Sequence, residues 1–428
     1  MTAAGELVCC DLVCYGAASP TAFQEYLAML GRQHGCAVRS YAHRGAGMPV
    51  RGDERAEYAD GASEQGTTRT RLWSRLWYRH LLRESCLVCG FHSLDRPGNL
   101  TLGDFWGSER AAPGLEDDWG TSCVLVNDAR GLELLRAAAD RLELREVAVA
   151  DVANPEQPML SHPPAGGGDR FWELRRERGF EGACRGLGLL GPRQALRDAR
   201  QHAASRARAV ACRPAGSPCA ADPWPSPPGR LEAHAGFPAA FAARNRDACV
   251  RRASSSGGVF HALAAHVLER GGVVYGCAFD ERLRAVHVRC ARMADVERCM
   301  GSKYTQSDMG NVLPSVRADI AAGRLVLFTG TPCQVAAARA VCGRAMAPGH
   351  APTGAAGCVP PRLYRRREEC SGCSACAAVC PRGAIEMRED EKGFAYPHVD
   401  AGACTGCGLC VRACPFKDRV VGPWAGSG

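Results

Sequence analysis

Eight cysteines in the last third of the 428-residue sequence are spaced for one kind of chemistry. Cys370, Cys373, Cys376 and Cys380 precede Pro381, and Cys404, Cys407, Cys410 and Cys414 precede Pro415. Each run reads C-x2-C-x2-C-x3-C-P, the spacing that holds a pair of [4Fe–4S] clusters. Three thiolates on a tight turn reach three irons of one cubane, and the fourth, after a longer step, is carried to the other. Cluster one is therefore expected on Cys370, Cys373, Cys376 and Cys414, and cluster two on Cys404, Cys407, Cys410 and Cys380. Zinc sites use two spaced pairs and leave the third cysteine of each run without a role. The chemistry to expect is electron transfer.

Other residues could extend it. Cys86 and Cys89 form a C-x2-C on a turn, Cys333 follows a strand in Thr-Pro-Cys-Gln, and Cys14 ends another in Val-Cys-Tyr-Gly. Ligands gather at the carboxyl ends of strands in α/β sheets, and these four thiolates would suffice for a third cubane. For each one alone, a buried free thiol is the alternative. Ser254, Ser255, Ser256, Gly257 and Gly258 sit directly before a helix, where free N–H groups, hydroxyls and the positive helix end suit a phosphate or pyrophosphate. The same residue types also simply cap helices. Gly301-Ser302-Lys303-Tyr304 holds the first lysine of an arginine-dominated chain, which points to a specific contact with a phosphate or a ring atom. Leu102–Gly107 sets an acid and two aromatics between glycines, either lining a ring-shaped ligand or making a turn. Cys9, Cys10, Cys36, Cys123, Cys184, Cys212, Cys219, Cys249, Cys277, Cys290, Cys299, Cys342 and Cys358 lack partners at useful spacing and are expected to pack or to lie on the surface.

The elements that must position these residues follow from periodicity. Strands are expected over 7–14, 37–41, 121–127, 273–279, 285–290 and 325–329. Helices are expected over 20–30, 72–82, 131–142, 171–184, 193–208, 259–270, 293–300, 313–322 and 334–341, and a polar, Gly-rich loop over 44–70. Alternating strand and helix in the second half argue for α/β layers. Pro- and Ala-rich stretches at 206–236 and 346–363 read as linkers, dividing the chain into 1–205, 237–345 and 364–428. The fold class expected is an α/β (α+β) body with a small ferredoxin-like domain.

Composition narrows the function classes. The net charge is +8, but the arginines are scattered among acids without a basic block, so nucleic acid is not an expected partner. No apolar run approaches the ~18 residues of a spanning helix, and no signal sequence is read at Met1. Twenty-five cysteines in that setting indicate a cytoplasmic, reducing environment with thiols kept for metal.

The stretches SSSGGVF, VVYGCAFD, GSKYTQSD, FTGTPCQ, DLVCYG, SCLVCGF and TLGDFWG together resemble the coenzyme F-420 hydrogenase/dehydrogenase beta-subunit family. The resemblance implies an iron–sulfur flavoprotein oxidoreductase that passes electrons from ferredoxin-type clusters through FAD to an organic hydride acceptor, with reduced ferredoxin or another redox protein as partner. It implies FAD contacts at Ser255, Ser256, Gly257, Gly258, Ser302 and Lys303, and a third cluster on Cys14, Cys86, Cys89 and Cys333. Tyr15 stands where relatives usually carry histidine after the strand-end cysteine, so Tyr15 and Tyr304 become the candidate proton donors. An electron-transfer subunit of a larger complex and a scaffold that has lost activity are the alternatives. In relatives the ferredoxin part usually leads, followed by the SSSGG-to-TPCQ half and then the half with CxxC and LGDFWG. Here the last half comes first and the ferredoxin part comes last.

That order makes a geometric demand. The strands at 325–329 and 7–14 are consecutive in relatives, joined by the helix at 334–341, and such strands usually lie parallel and adjacent. They are expected side by side here too, although more than 300 positions separate them. The linker at 206–236 permits this, since loop length adds little entropic cost.

Overall fold

The computed structural model describes residues 6–43, 54–115, 119–154, 157, 159–161, 163, 168–200, 236–343 and 359–417. Cys212, Cys219, Cys358 and nearly all of the two linkers lie outside these residues. The first half supplies β1 (Glu6–Leu12), β2 (Val38–Ala42), β3 (Arg55–Tyr58), β4 (Ser63–Gln65), β5 (Leu100–Asp104), β6 (Ser122–Val126) and β7 (Leu142–Val147). The second half supplies β8 (Ala239–Asn245), β9 (Val273–Phe279), β10 (Ala285–Cys290) and β11 (Leu325–Gly330), and the cysteine-rich region β12 (Ile385–Glu389) and β13 (Ala395–Val399).

One eight-stranded sheet organises the body, in the order β10-β9-β11-β1-β5-β6-β8-β7. Strands β9, β11, β1 and β5 run parallel, and the flanking pairs are antiparallel. The expected neighbours meet: β1 pairs with β11 in parallel, from Glu6 opposite Leu325 to Asp11 opposite Gly330. The two halves also interlace a second time, because β8 lies between β6 and β7.

The central strands are buried on both faces, as parallel strands covered by helices must be. Val8 and Cys10 pack with Leu263 and Val267 of the helix Val259–Glu269 and with Leu132 and Leu135 of the helix Ala129–Ala137. Cys9, on the opposite side of the pleat, packs with Leu313 and Val316 of the helix Val312–Ala321 and with Val335 and Val341 of the helix Pro332–Cys342. A second core gathers Phe23, Tyr26, Trp73, Leu76 and Phe171 around the small sheet β2-β3-β4. The cysteine-rich region is a β12–β13 hairpin with the short helices Ala375–Ala378 and Leu409–Arg412. Its Ala375, Val379 and Ala413 enter the same apolar cluster as Val335 and Leu313.

Several expectations are corrected. The described part of the 44–70 loop is β3 and β4, whose Ala56 and Tyr58 alternate inward; short strands around the Asp60–Gly61 turn give little periodic signal. The helix expected over 131–142 ends at Ala137, and β7 begins at Leu142. Strand β8 carries no clear sequence signal because alanine has weak strand preference; it is buried at all of its positions between β6 and β7. Leu102–Asp104 completes β5, and the expected turn follows at Trp106–Gly107, with Phe105 buried and Trp106 exposed. The helix expected over 193–208 is seen at 192–200, the remainder lying outside the described residues. No helix among the described residues is long and apolar enough to cross a membrane.

Candidate functional site

Two cavities open in the 359–417 region. One is lined by Cys380, Cys404, Cys407 and Cys410, with Ile385 and Val399. The other is lined by Cys370, Cys373, Cys376 and Cys414, with Met387, Pro397 and Phe416, and Cys410 reaches its wall. Each cavity thus takes three cysteines from one run and the fourth from the other, as the spacing demands. Cys380 Sγ accepts the Ala384 N–H at 3.3 Å and Cys404 Sγ the Gly406 N–H at 3.5 Å. Burial, then Cys370 and Cys414, pushes the Cys376 thiol up to about 12. Several thiolates gathered around one cavity repel one another and are stabilised together by a bound cation. The residues fit an iron–sulfur cluster in each cavity.

A second group of cysteines faces this region from the body. Cys14, Cys86, Cys89 and Cys333 interact electrostatically in every pairing. Burial raises all four thiols, and for Cys14, Cys86 and Cys89 neighbouring sulfurs raise them further. The sheet explains the convergence. Asp11 and Gly330 are the last partners in the β1–β11 register, so Cys14 and Cys333 each lie three residues beyond one shared edge. Thr331 and Gln334 form a capping box that starts the helix carrying Cys333, and the Thr331 hydroxyl lies 3.2 Å from its sulfur. Cys86 rides on a 3-10 helix, Glu84–Val88, and Cys89 caps its end; the helix is anchored by Arg83 N–H donating to Ala17 O at 2.9 Å. Cys86 Sγ accepts the Ala17 N–H at 3.4 Å. The loop that follows is tied to β1 by the buried pair Arg96–Asp11 at 2.6 Å, Arg96 also donating to Phe91 O at 2.7 Å.

The two groups meet across a pinned boundary. Arg83 is buried, and its Nε donates to Cys370 O at 2.8 Å, Nη1 to Gln306 Oε1 at 3.0 Å and Nη2 to Ala395 O at 3.0 Å. Its guanidinium also lies 4.2 Å from the Tyr396 ring centroid, a favourable cation–π arrangement. Gly372, at φ 68°, has no room for a side chain, because a Cβ would meet Arg83 Nη1 and Ala395 O at 2.8 Å. Gln306 Nε2 donates to Ser371 O at 3.1 Å, Lys392 Nζ to Glu84 Oε1 at 2.8 Å, and Ser19 Oγ to Lys392 O. Cys333 contributes to raising the Cys373 thiol, which places the body cysteines next to the cavity of Cys370, Cys373, Cys376 and Cys414. Nothing in the sequence singled out Arg83; its role depends on contacts with distant segments.

The loop Ser254–Gly258 and the stretch Gly301–Tyr304 are brought together, with Ser302 Oγ donating to Ser255 Oγ at 2.9 Å. The helix Val259–Glu269 starts from Gly258 in the left-handed region without a side-chain cap. Its first N–H groups therefore suit an anion. Other members of the loop turn inward. Ser254 Oγ donates to Val250 O, Ser256 Oγ to Thr121 O, and Gly257 N–H to Ser122 Oγ. A Cβ on Gly257 would meet Ala243 O at 2.3 Å, so close packing on β8 already requires glycine here. Lys303 is likewise drawn inside, donating to Met300 O at 2.8 Å and Arg298 O at 3.2 Å, and burial lowers its pKa. Ser255, Ser302 and the open helix start fit a phosphate-bearing cofactor; Gly257 and the Lys303 ammonium are engaged by protein.

The two candidate tyrosines share a neighbour. Tyr304 stacks on Trp77 at 4.8 Å with planes 6° apart, and Tyr15 meets Trp77 edge-on at 6.1 Å. Trp77 is only partly buried, unlike Trp73, whose Nε1 donates to Tyr304 O at 3.1 Å. Burial and the nearby Tyr78 raise the Tyr15 phenol, against the opposing pull of Arg79. Beside Tyr304 lies His43, fully enclosed and paired with Glu54 at 3.1 Å.

Comparison with protein families agrees with this geometry. The family model for the carboxy-terminal part of the coenzyme F420 hydrogenase/dehydrogenase beta subunit matches residues 2–151, and the model for its amino-terminal part matches residues 240–314. A 4Fe-4S dicluster domain matches residues 369–417. No curated protein and no solved structure matches the chain. With both regions of one family interleaved in a single sheet, the chain belongs to the coenzyme F420 hydrogenase/dehydrogenase beta-subunit family, in rearranged order and with a 4Fe-4S dicluster domain after them.

Proposed function

We propose that the chain is an iron–sulfur oxidoreductase that exchanges electrons between its dicluster domain and a flavin held in the α/β body, acting on an organic acceptor. The observation that carries this reading is the convergence of Cys14, Cys86, Cys89 and Cys333 at one sheet edge, against Cys373 of the dicluster domain. Bound clusters would supply single electrons, and a flavin such as FAD the conversion to the two-electron chemistry that an organic acceptor needs.

The chain's own residues have distinct tasks in this reading. Cys370, Cys373, Cys376 and Cys414 would hold one cluster, Cys404, Cys407, Cys410 and Cys380 the second, and the four body cysteines a third. Ser255, Ser302 and the start of the helix Val259–Glu269 would bind the cofactor's phosphates. Trp77 and Tyr304 form a stacked aromatic wall for a planar ring. The raised Tyr15 hydroxyl keeps its proton at neutral pH and can donate it at the edge of that wall. The redox partner in this reading is a reduced ferredoxin or a similar protein.

Anaerobic purification with flavin analysis, followed by reduced viologen and candidate acceptors, tests the proposal. About one flavin per chain and acceptor-dependent viologen oxidation are expected. Ser255→Asp, which sets a carboxylate at the phosphate position, should expel the flavin while the iron content stays. Protein without flavin, or flavin retained in that variant, contradicts the assignment.

A further inference from the structure

Away from the redox centre, three donor atoms of different kinds converge where the helix Pro20–His34 ends. His34 offers Nε2, Cys36 its Sγ and Asp60 a carboxylate oxygen, all within 4.8 Å of one another. Among the described residues no other three His, Cys, Asp or Glu side chains meet this closely. We propose that His34, Cys36 and Asp60 form a mononuclear zinc site that staples this helix end to the β3–β4 turn.

Local structure brings the donors together from two segments. Gly35 adopts φ 104° as the helix C-cap, its N–H donating to Gly31 O at 2.9 Å, and the reversal returns Cys36 beside His34. The His34 ring stacks on Tyr58 at 3.7 Å and 12°, which fixes its plane. Asp60 sits in the turn after β3, where its Oδ1 accepts the Ala62 N–H at 3.0 Å. The other oxygen is left to face His34 Nε2 at 2.9 Å. Cys36 Sγ lies within 4.8 Å of both the Asp60 carboxylate and the His34 ring nitrogen.

The donor set selects the ion. Calcium and magnesium require oxygen ligands throughout, whereas thiolate with imidazole and carboxylate suits a borderline ion such as zinc. On binding, Cys36 releases its thiol proton, His34 shifts to the Nδ1–H tautomer, and Nε2, Sγ and a carboxylate oxygen each donate a lone pair. The His34–Asp60 contact must open by only a few tenths of an ångström, since ligands ~2.0 Å from a tetrahedral ion lie roughly 3.3 Å apart. Three protein ligands leave the fourth position to water. Because a proton is released, affinity should fall as pH falls.

The test uses the full chain, purified anaerobically with its iron measured, then equilibrated with zinc and desalted. Wild-type protein is expected to retain about one zinc per chain, with a zinc K-edge spectrum showing one sulfur and otherwise nitrogen and oxygen neighbours. Cys36→Ser and His34→Ala should each lose that equivalent while the iron content stays unchanged. Undiminished zinc in both variants, a shell with two or more sulfurs, or no zinc retained by the wild type overturns the proposal. Should a variant fail to fold, the number of sulfurs in the wild-type shell decides alone.

Discussion

Each guanidinium nitrogen of Arg83 has an acceptor, two of them in the dicluster domain and one on Gln306 of the body. Truncation would leave Cys370 O and Ala395 O without this donor, at about 1–3 kcal/mol for each buried group left unpaired. Arg83→Ala is therefore expected to weaken docking by about 3 kcal/mol, and Arg83→Lys to recover only part, since one ammonium cannot replace the planar fork. With a protease site engineered between residues 346 and 358, the cleaved wild type should stay together on gel filtration and cleaved Arg83→Ala should separate. Equal retention of both would remove Arg83 from this role. His287 offers a pH test at the same scale. Its Nε2 lies 3.1 Å from Thr329 O and its Nδ1 3.0 Å from the Ser307 hydroxyl, and burial lowers its pKa to about 4. The unfolded chain takes up a proton near pH 6.5 while the folded chain does not. This contribution is fully present above about pH 6.5 and is lost as pH falls toward about 4, at ~1.4 kcal/mol per pH unit. Between pH 7 and 5 the wild type should lose about 2 kcal/mol more than His287→Gln in urea unfolding. Parallel losses would contradict the burial argument.

Among elements, the β1–β11 pair decides whether the rearranged chain can work. Neither half has a continuous sheet of its own, since β11 needs β1 and β8 needs both β6 and β7. Residues 1–205 and 237–428, expressed as separate chains, should therefore be poorly soluble alone and co-purify in a one-to-one complex when co-expressed. Two independently soluble, non-associating halves would refute the interlaced sheet. Much of this was legible beforehand. The runs at 7–14 and 325–329 are mostly apolar, and the spacing of the eight cysteines points to one chemistry. What escaped was set by tertiary context. An alanine-rich segment becomes β8 only because two strands flank it, and Arg83 acquires meaning only from carbonyls 287 and 312 positions away. Gly257 shows the same limit from the other side, since a glycine reads alike whether a phosphate or a neighbouring backbone needs the space.

At the scale of the molecule, the cysteines form a contiguous series. The cavity of Cys404, Cys407, Cys410 and Cys380 adjoins that of Cys370, Cys373, Cys376 and Cys414 through Cys410. The latter adjoins Cys333 through Cys373. Cys14 then leads directly to Tyr15 and the aromatic wall with Tyr304, next to Lys303 and Ser302. Ala375, Val379 and Ala413 seal the boundary with apolar contacts shared by both domains, so the dicluster domain is built into the body and not tethered beside it. The body cysteines are the step on which the account depends, and iron stoichiometry tests them most directly. Anaerobically reconstituted full-length protein should contain about twelve irons and as many acid-labile sulfides per chain, from three four-iron clusters. Cys89→Ser and Cys333→Ser should each hold about eight, with the dicluster signals in the electron paramagnetic resonance spectrum intact. About eight irons in the wild type and in both variants alike would show that the body holds no cluster, and would contradict the account.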